Sequence, residues 1–71
     1  MKREVAETIC SMLDDVLNRL QDFNNYVNEN CDEPQIEKIR PAVGLCVAEL
    51  DLEVLDPIYR VFPNLKPQYL P

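Results

Sequence analysis

Between Ala6 and Val27 the apolar residues recur in steps of three and four: Ala6, Ile9, Leu13, Val16, Leu20, Phe23 and Val27. This spacing predicts a helix over about residues 3–29. Written as heptads, Ala6, Leu13, Leu20 and Val27 take position a, and Ile9, Val16 and Phe23 take position d. Val5, Met12 and Tyr26 flank the seam at g, and Cys10 and Leu17 flank it at e, while the outer positions hold only polar residues. A strand would scatter the same set over both faces, so the helical reading stands. The flanking residues widen the apolar face beyond a two-stranded seam, and a face that wide asks for more than one neighbour, as in a bundle. Arg19 interrupts the g row within reach of Asp15 and Asp22, which suits a surface ion pair.

A second start signal comes soon after. Asp32 is placed to cap a helix, with Pro34 in its first turn and Gln35 at the third position, where a glutamine closes a capping box. The stripe Ile36, Ile39, Val43, Cys46 and Leu50 continues the helical period, predicting a second helix over about 33–55. The short connection makes the two an antiparallel hairpin. Pro41 lies inside the stripe and removes a backbone donor, so a kink or break is expected near it, loosened further by Gly44. Cys10 and Cys46 fall on or beside apolar stripes and read as small core residues.

From Leu45 onward the apolar set becomes broad: Leu45, Val47, Leu52, Val54 and Leu55 surround much of the helix. Residues 49–54 also alternate polar and apolar, the pattern of a half-buried strand, but the helix formers Leu, Ala and Glu favour helix there. Asp56 and Pro57 signal a restart, predicting a short third helix over about 57–62 that Pro63 ends. The rest, with Pro67 and Pro71, is expected to be an extended tail whose apolar anchors are Leu65, Tyr69 and Leu70. The fold class is therefore all-α: one helical domain over residues 1–62 and a tail over 63–71.

Composition narrows the function more than it identifies it. A chain of 71 residues buries only about 60% of the surface its unfolded form exposes, so it recruits disulfides, a metal, a partner or very good packing. The three cysteines are odd in number and share no motif spacing, and there is no histidine, so neither a disulfide framework nor a zinc site is expected. No acidic loop carries an EF-hand glycine, and no cofactor is implied. The amino-terminal residues lack a secretory signal pattern, which points to a reducing, cytoplasmic setting. Seven Lys and Arg against thirteen Asp and Glu give a net charge of −6, which disfavours nucleic acid and membrane surfaces as partners.

Without histidine, neutral-pH acid–base chemistry would need paired carboxylates in a pocket, and Asp14 with Asp15 lies on the polar face. Cys31 stands just before the second helix, the best place for an activated thiol, yet it reads far better as a turn residue with no task. The expectation is a non-enzymatic interaction module that dimerises into a four-helix bundle through Leu45, Leu52, Leu55, Tyr59 and Phe62. Two other readings are an acidic inhibitor, immunity-type or nucleic-acid-mimic protein that meets a basic partner through Glu49, Asp51, Glu53 and Asp56, and an accessory subunit that clamps an enzyme with its tail.

Overall fold

The computed structural model describes residues 1–67. Helix α1 spans Arg3–Asn30, α2 spans Glu33–Leu50, a π-helical turn covers Asp51–Leu55, α3 spans Asp56–Val61, and a 3-10 turn covers Pro63–Leu65. Among the described residues there is no strand, so residues 49–54 are helical, as their side chains favoured.

The hairpin is set by its connection. The Gln35 amide donates to Asp32 Oδ1 at 3.3 Å, and the Asp32 amide donates to Gln35 Oε1 at 3.2 Å, closing the capping box that fixes where α2 begins. At the end of α1 the Cys31 amide donates to the Val27 carbonyl, and the Asn30 side chain donates to the Tyr26 carbonyl. Arg40 then reaches across to Asn28 at 3.1 Å and ties the two helices near the turn.

Helix α2 runs through Pro41 without a break. The ring faces solvent, while Ile39 and Val43 on either side are half-buried, so packing holds the helix across the missing donor. A change of helical bonding occurs at the next proline, Pro57. Just before it the backbone widens, and the Asp56 amide donates to the Asp51 carbonyl, five residues back. A widened turn lies where the Pro57 ring would otherwise crowd the carbonyl four residues earlier.

The π turn changes which residues face inward. The half-buried stripe of α2 runs Ile36, Ile39, Val43, Val47, Leu50 and Val54. In a regular helix Val61, seven residues after Val54, would share that face. Val61 is instead 68% exposed, and Leu55, Ile58, Tyr59 and Phe62 turn inward. One extra residue in a turn rotates every later side chain by about a third of a circle, which accounts for the exchange.

The third segment folds against the start of α1. Met1 lines a small cleft with Pro57, Ile58, Val61 and Phe62, and the Arg3 guanidinium lies 6.0 Å from the Phe62 ring centroid. The chain beyond α3 is not extended from its outset, as Pro63 ending a helix suggested. The Leu65 amide donates to the Phe62 carbonyl and the Lys66 amide to the Pro63 carbonyl, forming the 3-10 turn, and Leu65 is half-buried. A proline with its φ already near the helical value opens such a turn readily.

The result is a slab measuring 44 × 21 × 17 Å, with a radius of gyration of 14.6 Å where a compact chain of this length has about 11 Å. Its buried side chains among the described residues are Ala6, Val27, Leu55 and Ile58.

Candidate functional site

Burial divides the broad apolar face of α1 into two parallel seams. The first runs Ala6, Cys10, Leu13, Leu17, Leu20, Asn24, Val27 and Cys31, alternating steps of four and three. Every member is buried or half-buried, and this seam lies against α2 and the third segment. The second runs Val5, Ile9, Met12, Val16, Arg19, Phe23 and Tyr26 with the same alternation. It is offset by one residue, about 100° around the helix. Ile9 is half-buried and the other six members are exposed, Tyr26 at 67% and Met12 at 63%.

This corrects the sequence assignment of a single a/d seam. Positions a and e face the hairpin partner, whereas positions d and g, apart from Ile9, stand in solvent. The cause is geometric: one antiparallel helix covers a strip of its neighbour, and the apolar face of α1 is wider than one strip. Arg19, the one charged member of the outer seam, pairs with Asp22 at 3.8 Å across exposed surface. Toward the hairpin turn the outer seam deepens into an open groove lined by Arg19, Asp22, Phe23, Tyr26, Val27 and Cys31.

The residues expected at a dimer interface are dispersed. Leu55 is buried within the chain, and Tyr59 and Phe62, in the third segment itself, are half-buried, so these three serve the internal packing. Leu45 at 66% and Leu52 at 62% remain exposed. Each lies two residues, roughly half a turn, from the inward-facing Val43, Val47, Leu50 and Val54, which puts both on the side of α2 away from α1. Of the tail anchors, Leu65 is half-buried, and Tyr69 and Leu70 lie outside the described residues.

The acidic set is dispersed as well. Glu49 and Glu53 share a helical stripe, but Asp51 lies two residues from each and projects from nearly the opposite side. Asp56 is half-buried and accepts from Arg60 at 3.0 Å, an ion pair along α3. No single acidic face results.

The thiols show no chemistry that converges. Burial, and after it the carboxylate of Asp14, pushes the Cys10 thiol up from its ordinary value, which disfavours the nucleophilic thiolate. Cys46, expected as a small core residue, is exposed, because the inward stripe passes through Val47 instead. Cys31 is half-buried at the end of α1. Among the described residues no three His, Cys, Asp or Glu side chains are grouped to hold a metal ion, and no helix is long and apolar enough to cross a membrane.

In comparisons with known proteins, no family model matches the chain, and no curated protein or solved structure matches it.

Proposed function

We propose that this protein is a non-enzymatic helical interaction module whose own hairpin is half of a larger bundle, and that the other half is a second copy of the chain. The observation that carries this reading is the contrast, among the described residues, between four buried side chains and an outer seam of α1 in which Val5, Met12, Val16, Phe23 and Tyr26 are exposed. A chain of 8.3 kDa folded compactly presents about 4,600 Å² to water, whereas this one presents 5668 Å². The excess, roughly 1,000 Å², is comparable to the ~800 Å² that each partner contributes to an interface of ordinary size.

Sedimentation equilibrium between about 1 and 100 μM tests the proposal, a range wide enough for interfaces of ordinary strength. A mass of two chains is expected, and a single-chain mass throughout would refute it. Added salt sharpens the test. Two copies each bearing −6 repel at long range, so screening should tighten a homodimer. A complex with a basic protein, the second reading that the net charge supports, would be weakened by the same salt. That reading is the poorer one, because Asp51 points away from Glu49 and Glu53 and Asp56 is paired with Arg60.

A further inference from the structure

Given the homodimer reading, we infer that two copies join through the outer seam of α1, with the two α1 helices antiparallel and the two-fold axis near Val16. The seam from Val5 to Tyr26 extends about 32 Å along the helix, long enough to form the whole of one helix–helix contact. Its composition is graded. The amino-terminal half offers Val5 and Ile9, and the carboxy-terminal half offers Phe23 and Tyr26.

An antiparallel pairing about Val16 sets Phe23 and Tyr26 of one helix beside Ile9 and Val5 of the other, so large side chains meet smaller ones. A parallel pairing would stack Phe23 and Tyr26 on their own copies and leave the Val5 end thin. Charge agrees with size. Antiparallel helices bring Lys2 of one chain, which continues the register of the outer seam, toward Glu29 of the other and oppose the helix dipoles. In the parallel arrangement Arg19 would face Arg19 within the seam, two like charges partly withdrawn from water, whereas in the antiparallel one it lies near Met12. The surface thus complements a reversed copy of itself in both size and charge. Leu45 and Leu52, on the far side of α2, stay outside this contact.

Two sets of variants test the inference. Val16→Glu places a carboxylate at the two-fold axis, on a side chain exposed within the single chain, and should raise the dimer dissociation constant at least about a hundredfold. The double variant Leu45→Gln, Leu52→Gln, which keeps the net charge at −6, should leave the constant unchanged. For orientation, Cys10, Cys31 and Cys46 are replaced by serine, and Val5→Cys and Tyr26→Cys chains are mixed and oxidised. A disulfide between the two different chains is expected, with few between like chains. Like-chain disulfides at Tyr26→Cys would overturn the antiparallel arrangement. A dimer indifferent to Val16→Glu but broken by the Leu45, Leu52 pair would overturn the surface while sparing the homodimer itself. A wild-type chain that stays monomeric would remove both. Should Val16→Glu lose its helical circular dichroism, the cross-linking pattern decides.

Discussion

Truncating Ile58 to alanine tests whether the third segment is docked as described. Ile58 is 6% exposed and is one of four buried side chains among the described residues, while Val61, one turn along the same short helix, is 68% exposed. Replacing a buried isoleucine by alanine destabilises by about 2–5 kcal/mol, with the higher values at sites that cannot collapse into the space left behind. Helix α3 has only six residues, so it can close in on the gap, which places the loss near the low end, about 2 kcal/mol. A chain of this length has a total stability of about 4–11 kcal/mol, so the loss is a large share. In urea, with a slope of about 1 kcal/mol/M, the midpoint should fall by about 2 M. Val61→Ala should move it by no more than about 0.5 M. Both are measured at one protein concentration, because a dimer's stability depends on it. Equal effects at the two positions would refute the rotated packing of α3.

Four further outcomes are expected. Gly44 sits mid-helix in α2 with nothing within 4 Å of an added Cβ, so Gly44→Ala should stabilise by about 0.5–1 kcal/mol, read by the same urea titration. Tenfold dilution should lower the melting temperature by about 5 °C, given an unfolding enthalpy near 100 kcal/mol for two chains, and an unchanged temperature in calorimetry would argue for a monomer. A thiol reagent should modify exposed Cys46 before Cys10, as seen by mass spectrometry of partly labelled protein. Because the native chain holds the Cys10 proton where the unfolded chain releases it, that site's contribution is complete below the ordinary thiol range and fades as pH climbs through it, so unfolding should become easier there.

The helices were readable because their signals are local. The Asp32–Gln35 capping box marks one boundary, and the three-four recurrence in α1 leaves the polar positions clean. Which part of the α1 face meets α2 was not readable, since Ile9, Val16 and Phe23 are as apolar as Ala6, Leu13 and Leu20. The two seams do exist in the sequence as interleaved heptads one residue apart, and only the placement of the partner helix decides between them. The inward turn of Leu55 was hidden for a different reason. Pro57 announces that helical bonding must be adjusted, but the adjustment could have been a break, a kink or a wider turn, and each would aim the subsequent residues differently. Pro41 presents the same residue without a break or a wider turn, because flanking side chains hold α2 in place.

The wide turn before Pro57 also has a bearing on how the gene can change length. Removing a residue from a helix ordinarily swings every later side chain to a new heading. Here one residue is already in surplus. Deleting Asp51 together with Pro57→Ala would let the backbone close into ordinary α-helix while Leu55, Ile58 and Phe62 keep their inward heading. The same deletion at Glu37 in α2, where there is no slack, would throw the downstream half of the hairpin out of phase, so the segment from 51 to 55 is the place in this chain where a lost codon can be absorbed.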